Sequence, residues 1–148
     1  MPTITGEIND HGAVICVLVS VPTARRELLR RLQMAVPSPV PVRAQIDTGS
    51  HVSVFSREVF TALELTPFGR TSVRTPSTRP GEPFYADLYE VTLSFVSGMD
   101  QYPFPTVRVI ASDDFQQGEE VEAIIGRDIL NRCSFQYLGT ARRFELFF

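Results

Sequence analysis

The sequence predicts one mainly antiparallel, all-β domain with a few short helices. Three observations carry that reading. β-Branched and aromatic runs recur along the 148 residues, punctuated by Gly, Pro, Ser and Asp. Helical periodicity is confined to short stretches between those runs. The chain is 43% hydrophobic and 21% charged, enough apolar material for a core without disulfide or metal staples.

The elements follow in order. Ala13–Val21 is almost continuously apolar and reads as a strand buried on both faces, ended by Pro22. Thr23–Gln33 has a helical period, with Thr23 as N-cap and Leu28, Leu29 and Leu32 on one face. Pro37, Pro39 and Pro41 then favour an extended connector. The segment at about 22–41 is therefore an insertion between two strands that pair as a hairpin, the second being Val42–Ile46. Val52–Phe55 alternates as a half-buried strand does, and Arg57–Leu65 is a short helix capped by Ser56, with Val59, Phe60 and Leu63 inward. Thr71–Pro83, rich in Thr, Ser, Pro and Arg, is a hairpin or loop. Phe84–Val96 and Phe104–Ala111 are long strands, and Asp113–Glu122 is an acidic loop. Ala123–Ile125 is a short buried strand closed by Gly126, Arg127–Cys133 a short helix, and Ser134–Tyr137 with Arg143–Phe147 a terminal hairpin around Gly139.

Composition narrows the function classes. A net charge of −3 provides no basic field for nucleic acid, and no nucleic-acid partner is expected. Met1–Asp10 has no Lys or Arg, so it does not read as a signal peptide, and Ala13–Val21 is too short to span a bilayer. A cytoplasmic location without membrane contact is the expectation. The basic stretch Arg25–Arg31 reads as a solvated helix face with its leucines on the core. Cys16 and Cys133 lack metal-ligand spacing and are expected to be buried apolar residues.

One stretch carries chemistry. In Ala44-Gln45-Ile46-Asp47-Thr48-Gly49-Ser50 a β-prone run ends on a carboxylate followed by small residues. Two close carboxylates sharing one proton can hydrolyse an amide without metal or thiol: one deprotonates water, the other protonates the substrate. Gly49 allows the backbone to approach the carboxylate, the N–H groups of the turn can hold it, and Thr48 can brace the loop. A lone Asp-Thr-Gly is also a common polar turn, but a second segment follows, Ala123-Ile124-Ile125-Gly126-Arg127-Asp128-Ile129-Leu130.

These two segments, in this order, resemble the retropepsin-like aspartic proteases over about Gly12–Phe148 apart from the insertion. The resemblance implies a single-lobe acid protease fold with a closed, barrel-like sheet. It makes Asp47 the catalytic residue, Thr48 a contact across a dimer axis, and Gly49 a substrate-backbone contact, with Ser50 completing the supporting loop. Ile124, Ile125 and Gly126 form an apolar loop beneath the site; Arg127 and Asp128 tie the following helix to the active-site loop. A flap falls at about Val73–Tyr85, and His51, Val52, Val54, Phe84 and Ile125 are substrate-binding candidates. No metal or organic cofactor is implied. Two departures stand out. His51 occupies the place where viral members have an Asp that pairs with the arginine, which leaves Arg127 without its expected partner unless His51 takes over part of that role. The flap carries Pro76, Pro80 and Pro83 where viral flaps are glycine-rich.

The motif occurs once. The second carboxylate is therefore expected from Asp47 of another copy, making a homodimer that acts on an extended polypeptide. The aromatic-rich terminal strand Arg143–Phe148 is expected to offer an edge for pairing. The alternative is a dimerisation or peptide-binding module of the same fold with little or no turnover.

Overall fold

A computed structural model describes residues 1–74, 81 and 84–148 of the chain. Its elements run β1 (Thr3–Glu7), β2 (Val14–Ser20), α1 (Thr23–Arg31), β3 (Val40–Ile46), β4 (Val54–Ser56), α2 (Arg57–Ala62), β5 (Gly69–Val73), β6 (Phe84–Ser97), β7 (Asp100–Ser112), β8 (Ala123–Ile125), α3 (Arg127–Leu130), β9 (Ser134–Leu138) and β10 (Arg143–Phe147). Strands β2, β3, β8, β4, β7 and β6 pair in that order, and β6 returns to β2, so six strands close a barrel. The β3–β8 and β4–β7 pairs are parallel; the other pairs are antiparallel.

Strand β6 does two jobs along its 14 residues. Its first half pairs with β5, and its second half closes the barrel on β2. The register with β7 shifts between Val91 and Leu93, where a bulge lets the strand bend. The β5–β6 ribbon thus leaves the barrel as an arm. Arg57 of α2 holds its base, donating to Asp87 on β6 (2.8 Å) and to Asp113 after β7 (2.8 Å). The guanidinium beside Asp113 holds that exposed carboxyl below its ordinary range.

Alternation decides what lies inside. On β2, Ile15, Val17 and Val19 enter the core while Cys16 is exposed. The expectation of a strand buried on both faces, and of a buried Cys16, is therefore corrected: the outer face of the barrel meets solvent here, and an unbroken apolar run did not reveal it. Cys133 is half-buried, and that burial pushes its thiol upward. The insertion forms α1 between β2 and β3, as its helical period predicts, but only Leu29 is buried; Leu28 and Leu32 are more than half exposed. Thr23 does not cap α1 either: Pro22 holds that position, without a side-chain bond. Val59, Phe60 and Leu63 of the α2 region are all inward, with Phe60 stacked on Tyr89 at 4.0 Å.

A second sheet, β1–β10–β9, seals the barrel with Phe144 and Leu146. The terminal strand β10 is its middle strand, bonded on one side to β1 and on the other to β9. The free edge expected of Arg143–Phe148 is thus already filled by the chain's own N-terminus. Among the described residues, no helix is long and apolar enough to cross a membrane.

The fit of β1 onto β10 depends on Gly6. A β-carbon there would lie 2.6 Å from the ring of Phe144, itself only 1% exposed. The ring has no room to retreat. Gly6→Ala is expected to destabilise the fold by about 1–3 kcal/mol, measured as a lower urea midpoint with unchanged slope.

Candidate active site

The parallel pairing of β3 with β8 sets the site. Ile46 lies opposite Ile125, so the next residues, Asp47 and Gly126, leave the two strands together. The Asp47 N–H donates to Ile125 O (3.0 Å), fixing the start of the turn. The chain then reverses: Ser50 N–H donates to Asp47 O (3.2 Å), and Ser50 Oγ donates to Val52 O (2.7 Å). Gly49 N–H donates to Asp47 Oδ1 (2.8 Å), which orients the carboxylate. Gly49 is needed for approach: a β-carbon would press on Asp47 Oδ1 at 3.1 Å. Asp47 is half-buried, backed by the core residue Ile46, and its carboxylate faces the surface with Thr48 and Gly49.

The loop returns across Gly126. A β-carbon on Gly126 would meet Val52 O at 2.7 Å and Ser50 O at 2.9 Å, both rigid backbone atoms. At φ −98° the backbone itself suits any residue, so glycine is required by space alone. Two side chains of α3 then lock the loop. Asp128 accepts from Ser53 N–H (2.9 Å), from Ser53 Oγ (2.8 Å) and from Ile129 N–H (2.9 Å). Arg127 donates to Thr48 O (2.7 Å), and its N–H donates to Ser50 O (2.8 Å).

Arg127 also has a side-chain partner, and it is His51, the residue that stands in for the expected Asp. Its second guanidinium nitrogen lies 2.7 Å from His51 Nδ1. A guanidinium only donates, so Nδ1 must offer its lone pair and the ring proton must sit on Nε2. Neutral His51 thereby fills the place of a carboxylate.

The remaining site residues divide by face. Val52 and Val54 are half-buried, and Val54 lies opposite Ile124, also half-buried. Ile125 is 0% exposed within the core, so Ile124, not Ile125, presents an apolar surface beside the loop. Phe84 is exposed on the β5–β6 ribbon opposite Val73. Pro76, Pro80 and Pro83 lie outside the described residues. Ser53 escaped the sequence reading. It is fully buried, receives Gly126 N–H (3.0 Å) on its hydroxyl and binds Asp128 twice. Its signal was a hydroxyl at an inward position of the run Val52–Phe55.

Comparison with solved structures matches this arrangement to a known fold. The crystal structure of a retropepsin-like aspartic protease from Rickettsia conorii superposes with a TM-score of 0.57 at 17% identity, covering 98% of this chain and 89% of that one. The fold is retropepsin-like. The EIAV protease complexed with the inhibitor HBY-793 is a more distant match, with a TM-score of 0.41 at 16% identity, covering 81% of this chain and 86% of that one. No family model and no curated protein matches the sequence.

Two substitutions test the retropepsin-like loop. Asp128→Ala leaves the buried Ser53 N–H without its acceptor and is expected to destabilise by about 2–4 kcal/mol, read by denaturant unfolding; Asp128→Asn should lose less. His51→Asp replaces a neutral acceptor of Arg127 by a charged one at an exposed position and is expected to stabilise by no more than about 1 kcal/mol. That gain should shrink in high salt, because only the new pair is ionic.

Proposed function

We propose that the chain is an aspartic endopeptidase, active as a homodimer. The observation that carries this reading is the state of the two motif acids. The Asp47 carboxylate is oriented by Gly49 N–H and faces outward, while Asp128 has both oxygens engaged by the fold. The second catalytic carboxylate is then Asp47 of a second copy, across a two-fold axis.

In that dimer a water sits between the two carboxylates, which share one proton because neighbouring like charges cannot both ionise cheaply. The ionised Asp47 takes a proton from the water as its oxygen attacks the scissile carbonyl. The protonated Asp47 gives its proton to the carbonyl oxygen, forming a neutral tetrahedral gem-diol. Collapse returns a proton from a diol hydroxyl to one carboxylate, the other protonates the nitrogen, and the C–N bond breaks. The substrate is an extended polypeptide whose backbone meets Gly49 and the β5–β6 ribbon. Val52, Val54, Ile124 and Phe84 supply apolar walls, which favours hydrophobic side chains beside the scissile bond. Thr48 contacts the partner copy, and His51 shapes the loop through Arg127. Residues 1–148 act as one domain, with 22–41 an insertion outside the cleft.

Asp47→Asn should abolish cleavage of unfolded casein, and pepstatin should inhibit the wild type, while circular dichroism remains unchanged. Mixing tests the dimer. After dissociation and random reassembly with an equal amount of Asp47→Asn, at the same total protein as pure wild type, a shared site retains about one quarter of the wild-type activity, and independent sites retain about one half. Full activity of Asp47→Asn would overturn the assignment. Absence of cleavage in the wild type would favour a peptide-binding module.

A further inference from the structure

The outer face of a barrel strand normally meets water, and Cys16 does. Farther along β2 this changes. Ser20 on β2 and Thr92 and Ser94 on β6 alternate with core residues, yet each is only 5–6% exposed. Between these hydroxyls and the insertion lies a cavity of about 570 Å³. That volume is within the range of about 300–1,000 Å³ of small-molecule sites.

The cavity has a one-sided chemistry. Arg26 and Arg30, one turn apart on α1, line it, and no Asp or Glu does. Neither arginine forms an ion pair among the described residues. Arg26 makes one long bond, 3.5 Å, to Ser20 Oγ. Two like charges spaced i, i+4 repel unless something negative joins them. The protein as a whole carries −3, so this positive pocket is a local construction. Its other walls are mixed: Leu18, Val36 and prolines give apolar surface, and Thr23, Ser38 and Gln101 are polar.

We propose that this cavity is a binding site for a phosphorylated small molecule. Arg26 and Arg30 hold the phosphate with forked guanidinium donors, Ser94 adds a hydroxyl donor, and the organic body lies against Leu18 and Val36. The site is separate from Asp47. It adjoins the start of β3, whereas Asp47 follows its end, seven residues and about 20 Å away.

Calorimetric titration of the full chain with phenyl phosphate at constant ionic strength is expected to give saturable one-to-one binding, with inorganic phosphate weaker. Arg26→Gln/Arg30→Gln should lose affinity by at least about tenfold. Leu28→Gln/Leu32→Gln, on exposed positions of the same helix region, and Asp47→Asn should bind as the wild type does. Vesicles containing phosphatidic acid separate a lipid headgroup from a soluble source. Vesicle binding that phenyl phosphate displaces supports the cavity with a lipid as the source. Vesicle binding without any response to phenyl phosphate overturns the cavity, as does phenyl phosphate affinity unchanged in the double arginine variant or absent in the wild type.

Discussion

The site depends on one close contact, the passage of the Asp47 loop over Gly126. Val52 O and Ser50 O lie within 3 Å of where a side chain would begin. At that distance the two motifs, remote in sequence, become one object. The parallel β3–β8 pair brings them together at their ends, and Asp128 and Arg127 then bond the loop at Ser53, Thr48 and Ser50. Since both acceptor carbonyls are backbone, any widening at Gly126 moves the peptide that carries Asp47. The position of the carboxylate is therefore set by packing at a residue with no chemistry of its own.

Much of this was legible because it is local. Asp47-Thr48-Gly49-Ser50 and Ile124–Leu130 could be paired as motifs, and the inward face of α2 followed from the spacing of Val59, Phe60 and Leu63. What was not legible is non-local. Whether an apolar strand is covered on its second face depends on what folds over it: Cys16 is uncovered, while Ser20 lies beneath the insertion. The place of β10 depended on whether β1, at the other end of the chain, reached it first. The Arg127–His51 bond required a tautomer, which residue type alone does not specify.

The same limits act on the terminal sheet. With β10 held between β1 and β9, the strand that ends the chain is spent on closing its own barrel. Phe144 and Leu146 belong to the core, so withdrawing β10 without an identical strand to replace it would empty that core. The outer strands β1 and β9, the loop at Thr48 and the β5–β6 ribbon remain open to a second copy while β10 stays in place. The last two lie where the proposed substrate cleft requires contact.

His51 changes what kind of tie secures the loop. A carboxylate at that position would meet Arg127 as an ion pair, which salt weakens and whose loss requires a proton on oxygen. The imidazole meets it through a neutral lone pair, which salt screening scarcely touches but which one proton removes entirely. Protonated His51 would also place a second cation against Arg127. The loop that carries Asp47 is thus tied at His51 by a bond whose strength rests on the ring's tautomer rather than on a pair of opposite charges.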